Sequence, residues 1–425
     1  MNDTPIVGRM IDALDYYKFT MAYFARHYFR DAHVKYAFTN RTKGIYLPRQ
    51  IDVGRLNEEL EHVRQMGFTP NEVNLLRGRT EFKDRFPDWF FDFLLDVELS
   101  PLDVRVHGDR LHVETEGNWA ESSIWWETIV LTIISELYWE SVTKELGLSE
   151  DEALARGRKH LKGDVRLLLR NAPGAQISLF GARRRHSNAM EDQAHEVFMD
   201  LAPQMLFGTS TVGKGITYDL RITGTNAHEL PMVLFSLLWA KMGDGADLGE
   251  VARISQLDML DKWWDLYGYD LSIGLTDTYG TNFFLDQFGE ERARAWKGFR
   301  QDSGDPLTIG YQYLNYYNSM DIDAREKSVL FTDGLVQPTI AMLWQEFHEK
   351  FQVGFGWGTG ATSNVFPNSE YYRHASLVMK AVAANEMPNA KITDNPMKAA
   401  GDPHVAERLK AAIGHIDGPA ITPVF

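Results

Sequence analysis

The segment at residues 180–187, Phe-Gly-Ala-Arg-Arg-Arg-His-Ser, gathers four basic side chains in an otherwise acidic chain. Arginine forms paired hydrogen bonds with phosphate or carboxylate, and the ring of Phe180 offers a flat surface for stacking. Cations at the start of a helix oppose the helix dipole, so a solvated helix face explains this run less well. We interpret these four residues as an anion-binding cluster.

A second loop, Gly-Thr-Asn-Ala-His-Glu at residues 224–229, carries a histidine. A lone histidine is more often structural than catalytic. In a functional loop, however, His228 would act as a base or become a covalent nucleophile towards phosphate. The loop at residues 276–280 supplies a carboxylate, Asp277, that would orient the histidine ring.

Two carboxylates and a cation meet in the loop at residues 299–306, Phe-Arg-Gln-Asp-Ser-Gly-Asp-Pro. Asp305 before Pro306 predicts a capped helix start. Two carboxylates beside serine and glycine also suit ribose hydroxyls or a magnesium–phosphate complex. Glycines at residues 332–334 and 355–360 let backbone N–H groups close around a phosphate. The successive loops therefore share chemistry that suits a phosphate-containing ligand.

The segment at residues 208–215, Gly-Thr-Ser-Thr-Val-Gly-Lys-Gly, nearly matches the P-loop pattern for nucleotides. That pattern ends in a serine or threonine whose hydroxyl binds magnesium, and this chain has Gly215 there. The Ile-Thr-Tyr that follows is also a poor start for the helix that the pattern requires. A P-loop site is therefore not expected.

Short apolar or β-branched runs alternate with helical stretches in the second part of the chain. The predicted strands span residues 177–180, 220–222, 273–276, 296–299, 329–332 and 352–355. The predicted helices span residues 190–202, 230–242, 247–266, 306–317 and 337–348. This alternation is typical of parallel strands with crossover helices, and it favours an α/β barrel. In a barrel the loops after the strands form the active face, where the polar loops would meet.

The amino-terminal region has a pattern typical of an α+β domain. Residues 33–39 and 104–113 predict strands, and residues 15–29, 52–66, 72–76 and 89–95 predict helices. The most apolar stretch, residues 124–139, is too short to cross a bilayer and predicts a buried helix. The predicted domains are an α+β domain at residues 1–150, a barrel at residues 151–368, and a carboxy-terminal segment at residues 369–425 that packs beside the first.

Composition excludes several classes of protein. The 425 residues include 44 Lys and Arg against 59 Asp and Glu, a net charge of −15 that repels a nucleic-acid backbone. A local cluster of cations can still bind a small anion. Disulfides, thiolate metal sites and cysteine nucleophiles are excluded because the chain has no cysteine. The first twenty residues do not resemble a signal peptide, so we expect a cytoplasmic protein with neither a membrane nor a nucleic-acid partner.

Taken in order, the loops resemble the nicotinate phosphoribosyltransferase family. The matches include Asp-Tyr-Tyr-Lys at residues 15–18, Phe-Gly-Ala-Arg-Arg at 180–184, Gly-Thr-Asn-Ala-His-Glu at 224–229 and Asp-Ser-Gly-Asp-Pro at 302–306. The resemblance implies an irregular α/β barrel joined to an α+β domain that both chain ends build. It also implies an ATP-coupled ligase reaction in NAD biosynthesis, in which nicotinate and 5-phosphoribosyl-1-diphosphate give nicotinate mononucleotide and diphosphate.

The resemblance further implies roles for individual residues. His228 would be the phosphorylated histidine, and Asp277 would hold its ring. Tyr17 and Phe180 would sandwich the pyridine ring, and Tyr17 would come from the other subunit of a homodimer with a shared active site. The other implied catalytic and substrate-binding residues are Arg183, Thr209, Ser210, Arg300, Asp302, Asp333, Gly334, Gly358 and Thr359.

Within this set, Arg183 and Arg300 would bind the carboxylate and the donor phosphates. Asp302 and Asp333 would hold ribose hydroxyls or a metal, and residues 358 and 359 would bind the 5′-phosphate. ATP would be a co-substrate, and Mg²⁺ would reach Asp302 or Asp305 as its diphosphate complex.

Position 210 bears on the choice of substrate. By resemblance, the nicotinamide-using relatives carry an acid where this chain has Ser210. An acid accepts a hydrogen bond from an amide but repels a carboxylate, so Ser210 favours nicotinate. Two positions depart from the family pattern: His186, where relatives often have an apolar residue, and Met397, which replaces glycine just before Lys398.

Three other hypotheses stay open. The chain could be a nicotinamide-specific enzyme, or a sensor that binds nicotinate nucleotides without turnover. The presence of both His228 and Asp277 argues against the sensor. A glycosidase barrel with a carboxylate pair would leave the arginine cluster unexplained.

Overall fold

The structure, a computed structural model, describes residues 4–366 and 374–421. The domain boundary predicted between residues 368 and 369 lies outside the described residues, and the boundary at residue 150 stays a prediction. In the described part of the chain, we find no helix that is both long and apolar enough to cross a membrane.

The strands are β1 (His33–Asn40), β2 (Leu102–His107), β3 (Arg110–Asn118), β4 (Gln176–Leu179), β5 (Leu206–Thr209), β6 (Ile273–Leu275), β7 (Gly298–Gln301), β8 (Ser328–Phe331), β9 (Gln352–Trp357), β10 (Leu377–Ala384), β11 (Met387–Pro388), β12 (Ala390–Lys391) and β13 (Ala400–Gly401). The α-helices are α1 (Tyr16–Tyr28), α2 (Leu47–Gln50), α3 (Val53–Met66), α4 (Pro70–Arg77), α5 (Thr80–Lys83), α6 (Asp88–Leu95), α7 (Trp126–Glu145), α8 (Glu150–Asn171), α9 (Asn188–Leu201), α10 (Val212–Thr217), α11 (Glu229–Met242), α12 (Leu248–Tyr267), α13 (Thr281–Ala295), α14 (Pro306–Asn318), α15 (Gln337–Phe347), α16 (Thr359–Thr362) and α17 (Pro403–Ile413).

Six strands form a sheet in the order β5-β4-β9-β8-β7-β6, and every neighbouring pair is parallel. Helices follow the strands along the chain, which confirms the predicted α/β architecture. The prediction of a strand at residues 220–222 is wrong, because only Ile222 forms an isolated β-bridge there, with Thr209. Strand β5 was not predicted. Its glycine weakens the local strand signal, and pairing with β4 stabilises it instead.

A second sheet, in the order β11-β10-β1-β3-β2, has antiparallel pairs throughout. Its central strand β1 lies between β3 and the carboxy-terminal strand β10, so both ends of the chain build this sheet as predicted. The single strand predicted at residues 104–113 is wrong. The chain turns back at Gly108, which has φ of 58°, and β2 pairs with β3 as a hairpin.

Helix α7 is buried over almost its whole length, as its apolar sequence predicts. It packs against β10 and against the turn at residues 182–184, so it lies between the second sheet and the arginine loop. This position brings Glu127 and Glu136, the two glutamates of the apolar stretch, into the protein interior beside buried cations.

Candidate active site

A cavity of about 180 Å³ opens at the carboxyl ends of the parallel strands, and residues of β10 line it from the second sheet. The predicted site residues that line it are Tyr17, Phe180, Arg183, Ser210, His228, Arg300, Asp302, Asp333, Gly334, Gly358 and Thr359. The loops converge because the carboxyl ends of neighbouring parallel strands lie at one edge of the sheet.

Three predicted residues do not line the cavity. Thr209 is fully buried, and its hydroxyl donates to the Leu179 carbonyl at 3.3 Å. Asp305 caps helix α14 and accepts from the Thr308 backbone at 2.8 Å, which confirms the predicted cap. Asp277 is buried behind His228.

His228 is buried immediately before helix α11, and four polar groups surround its ring. Nδ1 lies 2.9 Å from the hydroxyl of Thr278, and Nε2 lies 3.0 Å from Oδ2 of Asp302 and 2.9 Å from Nζ of Lys391. Asp277 approaches no closer than 3.7 Å, so Thr278 and Asp302 form the contacts expected of it. Burial, reinforced by the charge of Lys391, lowers the pKa of His228 to about 4, so the ring is neutral at pH 7.

Asp277 instead holds the other residues around the histidine. Its Oδ2 accepts from the hydroxyls of Ser303 at 2.6 Å and Thr393 at 3.1 Å, and lies 3.5 Å from Nζ of Lys391. Burial raises the pKa of Asp277, but the charge of Lys391 outweighs burial, and the pKa is lowered overall. The carboxylate therefore stays ionised beside the lysine.

Lys391 is the main site residue that was not predicted from the sequence. It lies on the two-residue strand β12, 163 residues from His228 along the chain, and no motif spacing connects the two. Burial lowers the pKa of Lys391 to about 8, against the opposing charges of Asp277 and Asp302. Lys398, in the same segment, also lines the cavity and ion-pairs with Asp333, and it lies 2.9 Å from the Asp302 carbonyl.

The predicted cluster of four basic residues divides into two parts. Arg183 and Arg184 line the cavity. Arg185 is fully buried behind it, where its guanidinium donates to Glu136 at 2.6 Å and to Glu191 at 2.8 Å.

His186 is also buried away from the cavity. Its ring lies 5.4 Å from that of Trp139, and burial lowers its pKa to about 4. The anion-binding interpretation is therefore wrong for Arg185 and His186, which belong to the core.

The aromatic end of the cavity contains Tyr17 and Phe180, with a carboxylate that was not predicted. Asp15 accepts from the Ser210 hydroxyl at 2.5 Å and lies 3.4 Å from Nε of Arg183. Burial raises the pKa of Asp15, although Arg183 and Ser210 oppose the shift. This chain's own Tyr17 lines the cavity, with its hydroxyl donating to Glu127 at 3.1 Å.

At the other end, Arg300 donates to the hydroxyl of Thr225 at 2.9 Å and to the carbonyl of Asn226 at 3.0 Å. These bonds tie β7 to the histidine loop. Burial raises the pKa of Asp302, but its hydrogen bond with His228 and the charge of Arg300 outweigh burial and hold that pKa well below its usual range. Gly358 packs against the backbone just after β4, since a Cβ there would lie 3.0 Å from the Phe180 carbonyl.

Two family models match the chain: the nicotinate phosphoribosyltransferase (NAPRTase) family over residues 175–414, and the NAPRTase N-terminal domain over residues 13–135. The chain belongs to the NAPRTase family. A nicotinate phosphoribosyltransferase structure from Porphyromonas gingivalis covers 96% of this chain and is covered completely, with 24% identity and a TM-score of 0.83. One from Vibrio cholerae has 25% identity and the same TM-score, and the match covers 98% of this chain and 96% of that one.

NAPRTase membership assigns the chain to the enzymes of nicotinate phosphoribosyl transfer in NAD synthesis. The cavity agrees in charge with such a substrate. Among its lining residues in the described chain, seven are cations and three are carboxylates: Arg41, Arg183, Arg184, Arg300, Lys380, Lys391 and Lys398 against Asp15, Asp302 and Asp333. A protein with a net charge of −15 therefore presents a positive cavity to its ligand.

The carboxylates of this cavity do not fit a protein-bound Mg²⁺. His228, Asp277 and Asp302 lie close enough together to share a metal ion, but the ammonium of Lys391 already lies against this cluster. Both oxygens of Asp302 already have close protein partners: Oδ1 accepts from the hydroxyl of Thr332, and Oδ2 lies 3.0 Å from Nε2 of His228. Asp305 is engaged at its helix cap. Lysine ammonium groups thus supply the positive charge beside these carboxylates.

Proposed function

We propose that this chain joins nicotinate to 5-phosphoribosyl-1-diphosphate and couples the transfer to ATP through phosphorylation of His228. The observation that carries the proposal is the positive cavity with the neutral His228 at its wall. A polyanionic donor suits the charge of this cavity, and an unprotonated imidazole nitrogen is a nucleophile for phosphate.

The aromatic end of the cavity would bind nicotinate. Phe180 and Tyr17 would hold the faces of the pyridine ring, and Arg183 would pair with its carboxylate. Arg183 is suited to this role because its guanidinium lies at the cavity wall, 5.8 Å from the centre of the Tyr17 ring. This arrangement would aim the pyridine nitrogen towards the ribose carbon that it attacks.

The cationic end would bind the phosphoribosyl donor. When diphosphate leaves, its negative charge grows while positive charge develops at C1 of the ribose. Arg300, Arg184 and Lys398 would stabilise the leaving diphosphate, and Asp302 and Asp333 would bind ribose hydroxyls. The backbone at Gly358 and Thr359 would hold the 5′-phosphate. The products would be nicotinate mononucleotide and diphosphate.

Nicotinamide is the second candidate substrate, because the structure places a carboxylate beside Ser210. The Ser210 hydroxyl donates its hydrogen bond to Asp15, so the serine oxygen is left to accept one, which an amide N–H can donate. Arg183 favours the carboxylate of nicotinate at the same place. The two substrates must therefore be compared directly.

Activity with and without ATP tests the proposal. We expect wild-type protein to form nicotinate mononucleotide faster with ATP, and His228→Ala to lose that dependence while keeping its fold. A control with nicotinamide in place of nicotinate decides between the two substrates. If neither substrate gives product while nicotinate mononucleotide binds tightly, the chain is a sensor and the proposed reaction is wrong.

The assembly is a separate proposal. The resemblance implies a homodimer with a shared site, whereas this chain lines its cavity with its own Tyr17. Activity measured across the concentration range in which the oligomer dissociates distinguishes the two arrangements. A shared site requires activity to fall as the oligomer dissociates.

A further inference from the structure

Nε2 of His228 has two close partners that require opposite hydrogen-bond roles. The Asp302 carboxylate at 3.0 Å can only accept, so this contact needs a proton on Nε2. The Lys391 ammonium at 2.9 Å can only donate, so this contact needs a lone pair on Nε2. A neutral ring satisfies one of these partners at a time.

The other ring nitrogen accommodates either arrangement. Nδ1 lies 2.9 Å from the hydroxyl of Thr278, which can donate to an unprotonated nitrogen or accept from a protonated one. Thr278 therefore permits both tautomers without selecting one. The contacts of Nε2 with Asp302 and Lys391 therefore determine which tautomer is present.

The ammonium of Lys391 is held in place beside the His228 ring by its surroundings. Its side chain is about 6% exposed, and the carboxylate of Asp277 lies 3.5 Å from its ammonium. Asp277 is itself fixed by Ser303 and Thr393. The backbone beside Lys391 is held as well, since Ile392 N–H donates to the Thr278 carbonyl at 3.0 Å. The lysine and the histidine loop thus form one connected unit.

We propose that Lys391 is a further catalytic residue, which keeps the proton of His228 on Nδ1 and then binds the phosphoryl group that Nε2 accepts. The inference rests on the proposed ATP coupling through His228. Asp277 is a positioning residue in this scheme, because it acts on the histidine through the lysine.

The phosphoryl step balances with these groups. The lone pair of Nε2 attacks the γ-phosphorus of ATP, a bond forms between nitrogen and phosphorus, and the bond to the bridging oxygen breaks. ADP leaves with that electron pair, and the proton on Nδ1 stays on the ring beside Thr278. The Lys391 ammonium loses its acceptor when Nε2 is phosphorylated, and it donates to a phosphoryl oxygen instead.

The first experiment measures the tautomer of His228 without ATP. Protein labelled with ¹⁵N at histidine is compared with Lys391→Met, and His228→Ala identifies the resonances. We expect wild-type protein to show an unprotonated Nε2 and a protonated Nδ1. In Lys391→Met the proton should move to Nε2, towards Asp302. An unchanged tautomer in Lys391→Met would overturn the inference.

The second experiment measures acid-labile phosphate on the protein after incubation with ATP labelled at the γ-phosphate. Loss of a charged hydrogen-bond donor should slow phosphohistidine formation in Lys391→Met by about 10- to 100-fold. Lys391→Arg keeps a cation there and should recover part of the rate. Equal rates in wild-type protein and Lys391→Met would contradict the phosphoryl-binding role.

A matched control separates these effects from the general cost of losing a buried lysine. Lys214 is about 5% exposed and ion-paired with Asp192, but it does not line the cavity. Lys214→Met should leave the His228 tautomer unchanged. If wild-type protein forms no phosphohistidine at all, the ATP coupling and the phosphoryl-binding role fail together. The tautomer measurement still tests whether Lys391 keeps the proton of His228 on Nδ1.

Discussion

Lys18→Met should destabilise the protein strongly, because Lys18 neutralises two buried glutamates at once. Its fully buried ammonium lies 2.6 Å from Glu127 and 2.7 Å from Glu229. Glu229 also accepts from the Tyr36 hydroxyl at 2.6 Å and from the Trp119 indole at 2.8 Å. It follows His228 directly, so this network anchors the start of helix α11 beside His228.

The size of the effect follows from the burial. Removing one partner of a buried ion pair costs about 3–5 kcal/mol, because the remaining charge is left without compensation. Here that charge is Glu229, since Glu127 keeps its ion pair with Lys380. Unfolding entropy of about 2 cal/mol/K per residue gives roughly 0.9 kcal/mol per degree for 425 residues. We therefore expect the melting temperature to fall by about 3–6 °C if the chain unfolds in one transition.

The pH dependence of the effect has a definite sign. Burial raises the pKa of Glu127, but the charges of Lys18 and Lys380 outweigh burial and lower it overall. A lowered folded-state pKa stabilises above the unfolded value and loses that stabilisation as pH falls through the folded value. The difference in unfolding free energy between wild type and Lys18→Met should thus be largest at pH 7 and should decrease below about pH 4.5.

Thermal unfolding followed by circular dichroism at pH 7 measures this prediction. Arg64→Met is the control, because Arg64 forms an exposed pair with Glu61 and its loss should leave the melting temperature unchanged. Lys18→Met/Glu229→Gln should regain part of the loss, because it removes the carboxylate that has lost its counter-ion. A Lys18→Met melting temperature within about 1 °C of wild type would refute the reasoning.

Two further predictions concern substrate choice and acid stability. Ser210→Asp should raise the ratio of kcat/KM for nicotinamide over nicotinate by at least about tenfold, because a carboxylate repels the carboxylate of nicotinate; unchanged selectivity in competition assays would contradict this. His186→Phe should flatten the fall in stability between about pH 6.5 and 4, since the folded state holds His186 neutral with a pKa of about 4 while the unfolded state takes up a proton. Urea unfolding across this pH range should show that the unfolding free energy of His186→Phe, relative to wild type, rises by about 3 kcal/mol as the pH falls to 4.

The sequence alone determined the class of fold and most of the cavity wall. Polar loops directly after apolar runs predicted that Arg183, Asp302 and Asp333 would meet, and they line one cavity. This inference succeeds because parallel strands place their carboxyl ends at one edge, whatever the details of packing. Strand β5 and the hairpin of β2 and β3 were missed because strand pairing, and not local composition, defines their ends.

Only the tertiary structure decided which charges face the ligand and which belong to the core. Arg183 and Arg185 are two positions apart in one motif, yet the first lines the cavity and the second is buried against Glu136 and Glu191. Lys391 reaches His228 across 163 residues of chain. Whether a buried ionisable side chain is catalytic or structural depends on the groups packed around it. Those groups come from distant segments that no local pattern specifies.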